Sequence, residues 1–111
     1  MQRVLDTGQP CPLAPVEPST VVSGDPRTGS RALAAVAGAE VGVWEMTPGT
    51  ATDVEVDEVF VVLSGSASVA FDDGTVLELG PSSTVRLRAG DRTTWTVHET
   101  LRKVYFTGIE A

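Results

Sequence analysis

Glu58-Val59-Phe60-Val61-Val62-Leu63-Ser64-Gly65 is a run of strong β-formers with a carboxylate at its entrance and a turn glycine at its exit. Side chains of an extended chain alternate between two faces. In a strand running unbroken from residue 54 to 63, Val54, Val56, Glu58, Phe60 and Val62 share one face. Asp53, Glu55 and Asp57 then fall on the other, where they read as a solvated strand face. An acid among apolar neighbours costs free energy unless it has a partner or a task. Glu58 is therefore the first candidate for a functional residue.

On either side of this run the chain breaks into short apolar segments separated by turn chemistry. Strands are predicted at 41–46, closed by Thr47-Pro48-Gly49, and at 66–71 and 75–79, flanking the hairpin signal Asp72-Asp73-Gly74. Further strands are predicted at 84–87, 93–97 and 101–107. Residues 30–39 are alanine-rich and read either as a helix or as a strand that turns at Gly38. Residues 1–22, with Pro10, Pro12, Pro15 and Pro18, show no sustained period. They are expected to form an extended N-terminal arm, with Val21-Val22 as a short strand, ahead of a single domain at 23–111. Many short strands without a convincing helix predict an all-β fold, an antiparallel sandwich or small barrel.

The 111 residues suit one domain with a genuine core. A formal charge of −7, with Lys103 the single lysine, argues against nucleic acid or an anionic membrane as partner. Cys11 is the only cysteine, which excludes an internal disulfide and a thiolate metal cluster. No apolar signal core or run of transmembrane length is present, so the expected location is cytoplasmic. No glycine-rich phosphate loop occurs, and Ser64-Gly65-Ser66 lacks the following helix of a nucleophile elbow.

Glu58, six intervening residues and then Gly65 resemble the end of the first cupin motif, and Gly90 followed by Thr93 resembles the core of the second. The order of Ser23-Gly24-Asp25-Pro26, Gly42-Val43-Trp44-Glu45, Pro48-Gly49, Asp57-Glu58-Val59, Trp95-Thr96-Val97 and Arg102-Lys103-Val104-Tyr105 is similar to that of small single-domain cupins. These share their domain type with ureidoglycine aminohydrolase and the ethanolamine-utilisation cupin. The resemblance covers roughly residues 23–107 and implies a small antiparallel jelly-roll barrel (cupin), usually a homodimer, with any site inside it. Metal-binding cupins carry two histidines before the glutamate. Their places fall on Thr52 and Val54, or on Ala51 and Asp53, and the later histidine falls on Thr93. Arg88 and Val97 stand where the motif has proline and asparagine. Only Glu58 remains of the ligand set, so no metal and no cofactor is expected.

The expected ligand pocket comprises Glu58, Phe60, Thr93 and Trp95, with Thr52 and Val54 near its mouth. Glu58 is the best candidate for a catalytic acid/base. The competing reading is a buried carboxylate satisfied by Thr93, an arginine or the Trp95 indole. Trp95 shares a strand face with Thr93 and is assigned to the pocket, while Trp44 is read as core filling. His98, the sole histidine, is one step out of phase and expected to be exposed. Lys103 and Tyr105 share one face of the last strand, inside or outside. Lys103 is open to roles as counter-charge, amine nucleophile or guard against edge aggregation. Three functions follow: a metal-free monocupin binding an unknown small organic ligand, an aminohydrolase-like enzyme acting on a small nitrogenous metabolite, or a structural dimerisation module using the Val59, Val61 and Leu63 face.

Overall fold

The structure, a computed structural model, describes residues 3–108. Met1 and Gln2 of the expected arm and residues 109–111 of the expected domain lie outside them. The strands are β1 Ala14–Pro15, β2 Val21–Gly24, β3 Arg27–Val36, β4 Ala39–Met46, β5 Gly49–Val54, β6 Glu58–Phe71, β7 Val76–Leu79, β8 Thr84–Leu87 and β9 Arg92–Gly108. They form one antiparallel sheet, and a single 3-10 turn, Pro18–Thr20, precedes β2. The sheet curls because its longest strand is shared. β9 pairs with β5 through 92–97, with β4 through 101–108, and with β6 over most of its length. The all-β antiparallel barrel expected from the sequence is the observed fold. No helix among the described residues is long and apolar enough to cross a membrane.

Residues 54–63 are not one strand. β5 ends at Val54 and β6 begins at Glu58. The intervening residues leave the ladder and clip onto the turn before β9. The Glu55 N–H donates to the Asp91 carbonyl at 2.8 Å, and the Gly90 N–H donates to the Glu55 carbonyl at 2.9 Å. The Ala89 N–H donates to Asp57 Oδ1 at 3.1 Å. This break resets the alternation. Ala51 and Glu55 face inward from β5 and its extension, whereas Glu58, Phe60 and Val62 face inward from β6. Val54 and Val56, placed inward by the unbroken-strand reading, are instead exposed.

Two further boundaries differ. β6 does not stop at Ser64-Gly65 but continues to Phe71, with its register slipping at that point. The predicted strands at 93–97 and 101–107 are one strand, because β6 supplies a partner on both sides of the bend. The bend is tight. Gly65 has φ +93°, and a Cβ there would overlap the Thr100 carbonyl oxygen. The alanine-rich segment is strand β3, not helix. It meets β4 through Ala37-Gly38, both at positive φ, as a two-residue hairpin turn requires.

The N-terminal arm is strapped across the outside of β3, β4 and β9. Arg102 donates through Nε to the Thr7 carbonyl at 2.8 Å and through Nη2 to that of Gln9, and Arg31 donates twice to that of Pro10. Arg102 also pairs with Glu45 at 2.6 Å. Beneath the arm Cys11 is buried against the Val43 carbonyl. Inside the barrel Phe60, Leu87, Leu101, Val62 and Val69 are fully buried, and each contributes about 1.5–3 kcal/mol of transfer free energy.

Gly65→Ala is expected to cost about 3 kcal/mol or more, since it adds a backbone overlap to an unfavourable φ. Gly90→Ala, at φ +91° but with open space around it, should cost only about 1–2 kcal/mol. Urea unfolding of the two variants measures this ordering, and equal losses would contradict the bend geometry.

Candidate functional site

The curled sheet encloses an open cavity of about 460 Å³. Trp44, Glu55, Glu58, Trp95 and Lys103 line its walls, and Glu17, Thr20 and Asp53 stand at its rim. At its floor lies an ion pair. Lys103 Nζ donates to Glu58 Oε2 at 2.8 Å, and the two side chains are 6% and 12% exposed. The ammonium also sits 4.2 Å from the Phe60 ring centroid, 4.6 Å from Trp44 and 4.9 Å from Trp95. Ring faces are electron-rich, so each can replace part of the water the ammonium gives up. Lys103 and Tyr105 thus face inward from β9, and Lys103 takes the role of counter-charge.

A second buried acid stands beside the first. Glu55 is 8% exposed and accepts the Thr93 hydroxyl at 2.6 Å and the Trp95 indole N–H at 3.0 Å, both on Oε2. The indole N–H is shared with Thr93 Oγ1 at 3.1 Å. Thr93 and Trp95, anticipated as partners of Glu58, therefore serve Glu55. The reading of Glu55 as part of a solvated face is corrected. It assumed one continuous strand, and the break at 55–57 turns this carboxylate inward. Among the described residues neither Glu55 nor Glu58 has a hydrogen bond on Oε1, while no fully buried side-chain polar atom lacks a partner. The two Oε1 atoms accordingly face accessible space.

The other expected pocket residues separate. Trp95 and Thr52 line the cavity with Glu58, and the Thr52 hydroxyl donates to the Thr20 carbonyl at 3.4 Å. Phe60 is fully buried beneath the Lys103 ammonium, outside the lining, and Thr93 lies behind Glu55. Val54 is 57% exposed and borders a separate hollow with Thr93 and Arg92. Trp44, read as filler, is a cavity wall, its ring centroid 5.6 Å from that of Trp95. His98 is exposed on the outer face, 3.3 Å from Ser68 Oγ. Tyr105 donates to Glu40 Oε2 at 2.7 Å. Burial, followed by that carboxylate, pushes its hydroxyl above the usual phenol range, so it stays a neutral donor at ordinary pH. Among the described residues no three His, Cys, Asp or Glu side chains are placed to share a metal ion.

A curled antiparallel sheet with its polar groups gathered inside defines a cupin barrel. The EutQ-like cupin domain family matches residues 33–105, and the chain belongs to that family. No curated protein matches the sequence. Among solved structures, a protein of unknown function from Pseudomonas syringae pv. tomato is 24% identical with a TM-score of 0.79. The match covers 92% of this chain and 46% of that one, so the chain spans about half of its length. The polyketide cyclase RemF from Streptomyces resistomycificus is 21% identical with a TM-score of 0.70, covering 99% of this chain and 80% of that one. EutQ from Clostridium difficile is 18% identical with a TM-score of 0.65, covering 75% and 63%. At these identities the likeness establishes fold.

Lys103→Met should cost about 3 kcal/mol by stranding the Glu58 charge, while Glu58→Leu with Lys103→Met should cost less than either single change. Denaturant unfolding of the three variants reads this, and strictly additive losses would refute the coupling. A different expectation holds at the rim. Burial first, and then the neighbouring Glu55 charge, raise the Asp53 carboxyl above its ordinary value. A raised folded-state value means that ionised Asp53 costs stability at neutral pH and that protonation relieves the cost as pH falls. Asp53→Asn should therefore raise the neutral-pH Tm by about 1–2 °C, a modest gain because the residue is partly solvated. The gain should shrink as pH falls and the wild-type carboxyl takes up its own proton. An unchanged or lowered Tm at neutral pH counts against this account.

Proposed function

We propose that this cupin barrel binds a small organic molecule in its cavity, without a metal, with Glu58 as principal polar contact and Trp44 and Trp95 as stacking walls. The observation that carries the reading is open space beside a buried ion pair. A chain of this size gains stability from every cavity it fills, yet about 460 Å³ stays unfilled next to its costliest groups. The lining suits an organic ligand, combining large ring faces with a few convergent polar atoms. Cytoplasmic location, independence from nucleic acid and membranes, and a homodimeric state belong to the same proposal. The exposed Val59, Leu63 and Phe106 side chains offer an apolar face for the dimer contact.

One observation favours a second reading, an enzyme acting on a small nitrogenous metabolite in the manner of ureidoglycine aminohydrolase. The Glu58–Lys103 hydrogen bond is an acid/base couple inside the cavity, suited to moving a proton at Glu58 Oε2. Its weakness is that Lys103 is held by three rings as well as by Glu58, which ties the couple into the barrel floor.

A metabolite library screened by thermal shift on wild type and Glu58→Gln tests the leading reading. A ligand at one hundred times its Kd adds about 2.7 kcal/mol, a shift of several degrees. The expected result is a clear shift in wild type that falls by at least half in Glu58→Gln. Equal shifts would remove Glu58 as anchor, and the absence of any hit would favour a purely structural barrel.

A further inference from the structure

We propose that the cavity selects a cation, specifically a protonated amine or amidine carried on an aromatic or apolar body, and discriminates against carboxylates. This rests on the ligand-binding reading above and supplies the chemical class that reading leaves open.

The electrostatic balance of the lining is one-sided. Glu17, Asp53, Glu55 and Glu58 all border the space, and Lys103 is the single cation among the lining residues. Lys103 is already committed, since its ammonium is neutralised by Glu58 and enclosed by Phe60, Trp44 and Trp95. It offers no uncompensated charge for an anionic ligand. The acids are not committed in the same way. Glu55 is more than nine-tenths buried and spends only Oε2 on Thr93 and Trp95. Glu58 spends only Oε2 on Lys103. Among the described residues both Oε1 atoms lack a donor, and both side chains face the cavity. An N–H-rich cation satisfies them, whereas a carboxylate adds one more charge of the same sign to a poorly solvated space.

The ring walls point the same way. They already stabilise one ammonium at distances of 4.2–4.9 Å, which shows that their faces are accessible to positive charge. Trp44 is only partly buried and presents a further surface to the open side. Asp53 belongs to the same imbalance, since it lines the cavity beside Glu55. Burial and the Glu55 charge raise its carboxyl above its ordinary value, a cost that a bound cation would relieve.

Three isosteric probes separate the possibilities: phenethylamine, phenethyl alcohol and phenylacetate, titrated at neutral pH and low salt. Trp44 and Trp95 are the only tryptophans and both line the cavity, so intrinsic fluorescence reports binding at this place. Phenethylamine should bind about tenfold more tightly than the alcohol, with phenylacetate weakest. Asp53→Asn, a rim change expected to leave the barrel intact, should reduce that preference to about threefold or less. Phenylacetate binding as tightly as the amine, or an amine no tighter than the alcohol, would overturn this inference while leaving the cavity a ligand site. Silence from all three probes, together with a library screen without hits, would remove the ligand-binding reading and this inference with it.

Discussion

An ammonium group cannot be left in the middle of a small barrel without compensation, and the interior of this protein is arranged around supplying it. Glu58 provides the opposing charge, and Phe60, Trp44 and Trp95 provide polarisable faces where water would otherwise stand. The rings come from three different strands, β6, β4 and β9, so the lysine gathers side chains from three strands that the backbone ladder already joins. The rings also pack on one another, the Trp95 centroid lying 5.6 Å from that of Trp44 and 5.7 Å from that of Phe60. Trp44 and Trp95 meet at a tilted 53° and leave the cavity open above them. The ion pair is weak evidence for net stability, since an apolar replacement of the same volume often folds as well. Its evident effect is to hold a specific geometry, with two carboxylates presenting free oxygens to one space.

The architecture was legible in the sequence because it rests on local signals. Runs of β-branched residues, the Asp72-Asp73-Gly74 turn and the close spacing of turn residues all point to strands, and the tertiary structure reinforces each. The site was only half legible. Glu58 stands out through the apolar residues beside it, and Lys103 stands out as the only lysine, yet no local rule says that the two meet across 45 residues. Glu55 was misplaced for a more instructive reason. Period-two reasoning holds only while the ladder continues, and what ends β5 is a set of contacts with the distant 88–91 turn. The signal was present in Asp57 and Asp91, short acids that cap turns well, but their partners are set by the fold alone. For the same reason Phe60 and Thr93, expected in the pocket lining, lie behind it: Phe60 is fully buried and Thr93 donates to Glu55.

Stability and cavity pull in opposite directions here. Among the described residues twelve buried side chains make up the core cluster, and that core stops at the rings, where the barrel could have gained more by filling. Instead the open end is faced with carboxylates, and Asp53 sits there at a cost the rest of the fold absorbs. Such a distribution places the packed, rigid half of the barrel behind the site and its polar, solvated half in front.

The way Arg31 and Arg102 hold the leading segment has a consequence for how that segment can vary among relatives. Every contact they make with it ends on a main-chain oxygen, at Thr7, Gln9 and Pro10. Such a grip is indifferent to side-chain identity. Drift in composition along those positions leaves the clasp intact, whereas a deletion between residues 7 and 10 changes the spacing of the gripped carbonyls. Length, and not spelling, is what this part of the chain must preserve.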